Sequence, residues 1–303
     1  MINFAADTHR GCVRQHNEDC FQADPEIGLW LVADGVGGHT AGEVASAITI
    51  AVTHDSYQQN NDLVAAIRTA HQSVLEEIDK RGGVANMGST IVALALDGMD
   101  YQIAWVGDSR AYLCDEHGQV KLLTKDHSYV ESLLAKGAIT PEEALQHPKR
   151  NVITQSIGIS PLSDLQVDVI SGTLAANQKI LLCSDGLNDE LRPEELAELF
   201  AQAAPPELQV KELIRAALKA GGRDNVTVLI ASTLAPDELN DSSGTTHSLS
   251  DLENDKDLLD ATIVVASPQL LQYNRQHKAS KKVGLILGAI AVVAVALVIF
   301  WLI

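Results

Sequence analysis

The sequence predicts an α+β protein whose strands pair in the antiparallel direction. Three apolar runs, at 90–95, 102–106 and 110–113, follow one another with no space for a helix between them. Strands joined by such short connections pair antiparallel, because parallel pairing needs a crossover of a dozen or more residues. Longer stretches with apolar residues every three or four positions predict helices elsewhere in the chain.

Each predicted strand is a short apolar run bounded by turn-forming residues such as Gly, Asp and Asn. Six strands are predicted, at 29–33, 90–95, 102–106, 110–113, 179–183 and 226–231. The helices keep an apolar stripe at helical spacing, as in Leu213, Ile214 and Ala217. Five are predicted, at 41–56, 62–80, 127–136, 193–202 and 207–220.

Composition excludes several classes of protein. The chain has 303 residues, 46% of them hydrophobic, which is enough to build a sizeable core. Its formal net charge of -18 argues against a nucleic-acid partner, since binding to phosphates requires a surface rich in Lys and Arg. The four cysteines form no CxxC pair, which favours a reducing compartment over a disulfide scaffold.

The two ends of the chain predict a membrane anchor at the C-terminus only. No basic segment followed by an apolar one opens the sequence, so we expect no signal peptide and a cytosolic location for the bulk of the chain. Residues 283–303 form an uncharged run of 21 residues. A helix of that length spans roughly 30 Å, the thickness of a bilayer core. Lys281 and Lys282 precede the run. They predict a helix that spans the cytoplasmic membrane once, with its N-terminal end on the cytosolic side.

Three regions are therefore predicted: a globular domain at 1–233, a linker at 234–282 that is first acidic and then basic, and the membrane helix at 283–303. Between 235 and 260 the linker has eight acidic residues and one lysine, which is typical of disordered segments. A short apolar island surrounds Thr262. It is either a plain apolar patch or a phosphothreonine peptide that a forkhead-associated domain would bind.

Four aspartates occur at predicted strand ends. Asp34, Asp108 and Asp185 each follow an apolar run, and Asp224 precedes one. Any one of them could be an ordinary turn residue. If their strands share sheets, however, the carboxylates can meet, and two like charges about 4 Å apart repel by about 4 kcal/mol at an effective dielectric constant near 20. A cation would relieve that repulsion, and hard oxygen ligands favour Mg²⁺ or Mn²⁺ over Zn²⁺.

Other catalytic signatures are absent from the sequence. It contains no GxxxxGK[ST], GxSxG, HExxH or C-x5-R motif, which argues against P-loop, serine-hydrolase, zinc-protease and thiol-phosphatase chemistry. Arg14 is a candidate for phosphate recognition, with a surface salt bridge as the alternative. His39 lies in a glycine-rich loop near Asp34 and is either a solvated side chain or an acid for a leaving alkoxide.

At these residues the chain resembles the metal-dependent protein phosphatases of the PPM family (the PP2C type), in its bacterial Ser/Thr phosphatase branch. The resemblance covers about residues 3–233, and it implies two antiparallel sheets packed face to face with helices outside. Eight short motifs occur in the family's order: RQHNED (14–19), ADGVGGHTAGEVAS (33–46), MGST (87–90), VGDSRAY (106–112), DHSYVESLLAKGAIT (126–140), HPKRNVITQSIG (147–158), SDGL (184–187) and GGRDNVTVLI (221–230).

The resemblance implies a centre of two Mn²⁺ or Mg²⁺ ions. Asp34 would bridge the ions, and the carbonyl group of Gly35 would bind one of them. Asp185 and Asp224 would complete the ligands. Asp19 would lie close by and bind directly or through water.

The resemblance also implies a weaker third metal ion, which Asp108 would bind together with Asp185. Arg14 would bind the phosphate, and residues 126–158 would form a mobile flap over the site. Animal members have His directly after the Asp-Gly pair, where this chain has Val36. His39 resembles the bacterial counterpart of that general acid.

These features together predict hydrolysis of phosphoserine and phosphothreonine in proteins by a metal-activated water molecule. The expected partners are phosphorylated proteins and a cognate Ser/Thr kinase. The alternative is a catalytically inert, membrane-anchored module that binds phosphoproteins, which predicts that some of the metal ligands are replaced. A metal-dependent nuclease is the third reading, and the net charge of -18 argues against it.

Overall fold

The structure is a computed structural model that describes residues 2–37, 41–82, 87–115 and 117–233. Its strands are β1 (Asn3–His9), β2 (Asp19–Asp24), β3 (Leu29–Val36), β4 (Gly88–Ser89), β5 (Ile91–Asp97), β6 (Asp100–Val106), β7 (Arg110–Cys114), β8 (Val120–Leu122), β9 (Asp168–Thr173), β10 (Lys179–Cys183) and β11 (Val226–Ser232). Its helices are α1 (Ala41–Asn60), α2 (Leu63–Lys80), α3 (Tyr129–Ala135), α4 (Pro141–Leu145), α5 (Asp185–Asn188), α6 (Pro193–Ala201) and α7 (Pro206–Ala220).

The strands form two sheets. One has the order β1-β11-β10-β7-β8, and the other has the order β2-β3-β5-β6-β9 with the short β4 beside β3. Every neighbouring pair is antiparallel. The predicted α+β class and the two antiparallel sheets are therefore confirmed.

The two sheets pack face to face, and strands in the middle of a sheet are buried on both faces. In β11, Leu229 and Ala231 join the core between the sheets, whereas Val226, Val228 and Ile230 pack under helices on the outer face. Side chains alternate between the two faces of a strand, so a strand covered on both sides is apolar at nearly every position. Such strands are therefore recognisable in the sequence as continuous apolar runs.

Helices cover the outer face of each sheet. Helices α1 and α2 pack on the sheet that contains β3, and α5, α6 and α7 pack on the other. In α2 the buried residues include Leu63, Ile67 and Val74, which recur at helical spacing. The helix begins at the N-cap Asp62, whose side chain accepts a hydrogen bond from the backbone N–H of Ala65 at 2.9 Å.

The structure also shows where the sequence prediction was incomplete. The helix predicted at 127–136 begins at Tyr129, because Ser128 is its N-cap and accepts a hydrogen bond from the Glu131 N–H at 3.2 Å. Strands β1, β2, β4, β8 and β9 were missed, as were the short helices α4 and α5. The missed strands contain polar residues and lack a long apolar run, yet β1 pairs with β11 over seven residues.

Part of the predicted organisation lies outside the described residues. This applies to the linker at 234–282 with Thr262, and to the membrane helix at 283–303. Within the described ranges, no helix is both long enough and apolar enough to cross a bilayer. The boundaries at 1–233, 234–282 and 283–303 stay predictions.

Candidate metal centre and active site

Acidic residues from both sheets meet at one end of the sandwich. Asp34 lies near the end of β3, Asp108 and Asp185 follow β6 and β10, and Asp224 precedes β11. These four aspartates and Glu18 line one cavity of about 270 Å³. The strand-end pattern in the sequence therefore did mark side chains that share a site.

Asn225 fixes the loop between β1 and β2, which contains Arg14 and Glu18. Its Nδ2 donates hydrogen bonds to the carbonyl oxygens of Arg10 at 3.0 Å and His16 at 2.9 Å, and its Oδ1 accepts one from the Glu18 N–H at 2.8 Å. Asn225 is buried, so these bonds are shielded from water. The loop is thereby fixed beside the first residues of β11.

Arg14 is the cationic side chain among the described residues that line this cavity. One guanidinium nitrogen donates to Asp224 Oδ2 at 2.6 Å, and the Arg14 side chain is 50% exposed. A guanidinium has five N–H donors in a planar fork that matches phosphate oxygens. Arg14 is therefore held by Asp224 while it keeps further donors for an anion in the cavity.

The backbone of Asp34 is held by Ser89, the last residue of β4, and by Thr90, which joins β4 to β5. Its N–H donates to Thr90 Oγ1 at 2.9 Å, and its carbonyl oxygen accepts from the Thr90 N–H at 2.8 Å and from Ser89 Oγ at 3.1 Å. Thr90 Oγ1 also lies 2.7 Å from the hydroxyl of Ser109, the residue after Asp108. One threonine thus ties two of the acidic loops together.

Gly35 is required by close packing at the cavity wall. Its N–H donates to the Glu18 carbonyl oxygen at 3.1 Å. A Cβ atom on Gly35 would overlap the carbonyl oxygen of Gly42 at the start of α1. The absent side chain leaves the Gly35 backbone on the cavity surface, where a carbonyl oxygen can serve as a ligand.

The electrostatics of the cavity favour a bound cation. Burial and the neighbouring Asp19 and Asp185 hold the pKa of Asp34 well above its usual range. Burial, followed by the charge of Asp185, does the same to the pKa of Asp108. Burial and nearby acids raise the pKa of Glu18, Asp19 and Asp185 to about 7. Added positive charge stabilises the anionic form of buried carboxylates that raise one another's pKa.

Two buried oxygen atoms also fit a cation. Asp19 Oδ1 and Asp185 Oδ1 have no hydrogen-bond partner among the described residues. Such orphaned acceptors are uncommon in protein interiors, and divalent cations such as Mn²⁺ and Mg²⁺ prefer oxygen ligands. In the described ranges, no three His, Cys, Asp or Glu side chains are already gathered at the spacing of a metal site. The acidic side chains line the cavity but do not converge on a single point.

The structure brings most of the predicted site residues together. Asp19 is fully buried behind the cavity wall, directly opposite Asp34 in the β2–β3 pair. His39 lies outside the described residues. The other six line the cavity: Arg14, Asp34, Gly35, Asp108, Asp185 and Asp224. Their roles as metal or phosphate ligands stay predictions.

Sequence reasoning missed Glu18, which lines the cavity next to Arg14. The available signal was its place in the acidic pair of RQHNED, where only the second acid was selected. Asn151 and Ile153 were also not singled out. They bring the predicted flap, residues 126–158, to the cavity wall, and Asn151 Nδ2 donates to Asp189 Oδ2 at 2.6 Å.

The raised pKa values predict how stability changes with pH. Carboxyl groups in an unfolded chain have pKa values near 4, whereas those of Glu18, Asp19 and Asp185 are about 7 in the fold. Between about pH 4 and 7 the folded chain therefore holds more protons than the unfolded chain, so its free energy of unfolding falls as pH rises. Urea unfolding in EDTA should show a less stable protein at pH 8 than at pH 5, and Mn²⁺ should remove the loss at pH 8. Stability in EDTA that rises over this window would contradict the electrostatic picture.

Comparison with known proteins identifies relatives of this chain. Residues 3–132 match the protein phosphatase 2C family. The chain is 34% identical over 236 residues to the serine/threonine phosphatase stp of Listeria monocytogenes serotype 4b, a match covering 74% of this chain and 92% of that protein. It is 35% identical over 240 residues to the serine/threonine protein phosphatase PstP of Mycobacterium tuberculosis, a match covering 77% of this chain and 45% of PstP. The chain thus spans about half the length of that relative.

Solved structures agree as well. The crystal structure of Mycobacterium tuberculosis PstP superposes with a TM-score of 0.71 at 34% identity, covering 77% of this chain and 99% of that one. The catalytic domain of PstP in complex with two manganese ions superposes with a TM-score of 0.68 at 33% identity, covering 76% of this chain and 97% of that one. By sequence, fold and the clustering of its acids, this chain belongs to the protein phosphatase 2C family.

Proposed function

We propose that this protein hydrolyses the phosphate esters of phosphoserine and phosphothreonine residues in proteins, using two Mn²⁺ or Mg²⁺ ions. The observation that carries the proposal is the meeting of five carboxylates and one arginine on a single small cavity. The relatives from Listeria monocytogenes and Mycobacterium tuberculosis are named serine/threonine phosphatases, and one structure of the PstP catalytic domain is in complex with two manganese ions.

The residues that would hold the ions are Asp34, the carbonyl group of Gly35, Asp185 and Asp224, with Asp108 as a ligand of a weaker third ion. The chemistry that such ions supply when bound is ionisation of a water molecule at neutral pH and neutralisation of phosphate charge. The donors and their crowding fit ions of this type, as the raised pKa values and the two orphaned oxygens indicate.

The chain's own groups bind and orient the substrate. Arg14 donates to oxygens of the phosphoryl group, and its bond to Asp224 fixes where the guanidinium lies. Because the guanidinium is fixed before the reaction, it stabilises the charge of the transition state at little reorganisation cost. Asn151 and Ile153 of the flap close one side of the cavity, which limits the access of bulk water. His39 remains the candidate for protonating the leaving alkoxide.

The inert binding module is not favoured, because the acids that it predicts to be replaced are present and line the cavity. The direct test is phosphate release from a phosphothreonine peptide by the full chain, first with Mn²⁺ and then with excess EDTA. We expect release with Mn²⁺ and loss of release in EDTA that added Mn²⁺ restores. No release by folded, Mn²⁺-loaded protein would reject the hydrolase and favour the module.

We further propose that residues 283–303 hold the enzyme at the cytoplasmic membrane with its catalytic domain in the cytosol. The support is the uncharged run of 21 residues with basic residues before it. We expect the full chain to sediment with membranes and to resist carbonate extraction, whereas a chain ending at residue 282 stays in the supernatant. Equal partitioning of the two chains would contradict the anchor.

A cognate Ser/Thr kinase and a forkhead-associated domain that binds phosphorylated Thr262 complete the proposed set of partners. The support is the acidic sequence before Thr262 and the aliphatic sequence after it. A peptide of residues 255–269 should retain such a domain only when Thr262 is phosphorylated. Equal retention of the unphosphorylated peptide would remove this partner.

A further inference from the structure

A chain of side-chain hydrogen bonds runs from the surface loop before β2 to the buried Asp19. Asn17 Nδ2 donates to Thr8 Oγ1 at 2.8 Å, and Thr8 Oγ1 lies 2.7 Å from Thr227 Oγ1. Thr227 Oγ1 then donates to Asp19 Oδ2 at 2.6 Å. Thr8 and Thr227 belong to β1 and β11 of one sheet, and Asp19 begins β2 of the other. The hydroxyl groups therefore connect the two sheets next to the acidic cavity.

The direction of each hydrogen bond follows from the donors available. An amide nitrogen only donates, so Thr8 Oγ1 accepts from Asn17 and its own hydrogen is free for Thr227 Oγ1. Thr227 Oγ1, having accepted that hydrogen, directs its own to Asp19 Oδ2. All three bonds therefore point toward Asp19.

Ser184 supplies a second hydroxyl in the same way. Its Oγ accepts from the Thr227 backbone N–H at 3.0 Å and donates to Asp19 Oδ2 at 2.7 Å. Asp19 Oδ2 thus receives two short hydroxyl bonds, from side chains that are themselves fully buried. Asp19 Oδ1 receives none from the described residues, although it is buried too.

Oδ2 of Asp19 has two hydrogen-bond donors, whereas Oδ1 has none among the described residues. Oδ1 is therefore the oxygen that can bind a group that is not part of the protein. A buried carboxylate oxygen without a partner is unfavourable, because it has lost its contacts with water. Asp19 stands directly opposite Asp34 in the β2–β3 pair, on the side of the predicted metal centre. A cation or a water molecule of its coordination shell is the partner that this position offers.

We infer that Thr227 is a positioning residue for the metal centre: with Ser184 it fixes Oδ2 of Asp19 and so reserves Oδ1 for a metal ion or its water. The hydroxyls touch neither substrate nor reacting atoms, and they act through Asp19. The inference rests on the proposed function, since it needs the metal centre proposed there. Outer hydrogen bonds of this kind orient metal ligands, and their loss typically lowers metal affinity tenfold to a hundredfold.

The test compares Mn²⁺ binding to metal-free full-length chains by isothermal titration calorimetry. Thr227→Val keeps the shape of the side chain but removes the hydroxyl, and Thr227→Ser keeps the hydroxyl. We expect Thr227→Val to bind Mn²⁺ at least about tenfold more weakly, and Thr227→Ser to bind close to the wild-type affinity. A merely structural role would lower the unfolding temperature of the metal-free chain without this split in Mn²⁺ affinity.

A second variant keeps the test decisive if Thr227→Val does not fold. Ser184→Ala removes the other hydroxyl from Asp19 Oδ2 and should weaken Mn²⁺ binding in the same direction. If Thr227→Val folds and binds Mn²⁺ with wild-type affinity, the inference is overturned and the proposed function stays intact. If only Ser184→Ala folds, wild-type Mn²⁺ affinity in that variant has the same consequence. An absence of Mn²⁺ binding by the wild-type chain would overturn both.

Discussion

Asp34→Asn is expected to lower phosphate release at least about a thousandfold, which corresponds to about 4 kcal/mol of lost transition-state stabilisation. Burial and the neighbouring Asp19 and Asp185 raise the pKa of Asp34 well above its usual range, and hydrogen bonds with Ser89 and Thr90 fix its backbone. Asn keeps the shape of the side chain but brings no negative charge to two cations. The measurement is phosphate release from a phosphothreonine peptide at saturating Mn²⁺.

The same change should stabilise the metal-free protein. Asp34 lies opposite the buried Asp19, and each carboxylate disfavours the charge of the other. Replacing Asp34 removes that repulsion, so the unfolding temperature in EDTA should rise, and Mn²⁺ should raise it by less than it does in the wild type. Asp97→Asn is the matched control, because Asp97 is exposed and does not line the cavity. Full activity of Asp34→Asn would refute the assignment of the site.

Arg14→Ala is expected to lower kcat/KM for the phosphopeptide about a hundredfold, or about 2.7 kcal/mol. The guanidinium is placed by Asp224 at the edge of the cavity with donors to spare for a phosphoryl group. Arg14→Lys keeps the charge but loses the planar fork, so its activity should fall between those of Ala and the wild type. Steady-state kinetics on the three proteins give the comparison.

Measuring Mn²⁺ affinity distinguishes phosphate recognition by Arg14 from a contribution of Arg14 to metal binding. Arg14→Ala frees Asp224 from its ion pair, so Mn²⁺ should bind the variant at least as tightly as it binds the wild type. Arg223→Ala is the control, because Arg223 also pairs with a carboxylate, that of Glu190 at 2.8 Å, but does not line the cavity. Its kinetics should match the wild type. Equal losses in the two alanine variants would show that removal of a surface ion pair, not loss of phosphate recognition, explains the Arg14 result.

The sequence predicted the elements that are buried on both faces. Strands β10 and β11 are apolar at nearly every position because helices cover one face and the second sheet covers the other. Strand β1 was missed for the opposite reason. It lies at the edge of its sheet, its sequence is partly polar, and its pairing with β11 joins residues more than 200 positions apart. Local periodicity contains no information about such a partner.

The same distinction applies to the site. Asp34, Asp108 and Asp185 stand out because each ends an apolar run, which is a local signal. Glu18 sits in a loop whose position depends on Asn225, a residue far along the chain. The chain of hydroxyl hydrogen bonds that ends at Asp19 likewise connects β1, β11 and the residue before α5. Contacts of this kind follow from the packing of the two sheets and leave no periodic mark in the sequence.

Equilibrium dialysis of the metal-free full chain against Mn²⁺ tests most directly whether the acidic residues that line the cavity form a metal centre. The wild-type protein should retain two ions once free Mn²⁺ is well above the dissociation constants of the two sites, and a weaker third only at still higher Mn²⁺. Asp34→Asn should retain fewer than two, and Asp97→Asn should match the wild type. A folded wild-type chain that retains no Mn²⁺ and no Mg²⁺ would contradict the metal centre and the hydrolysis proposed to depend on it.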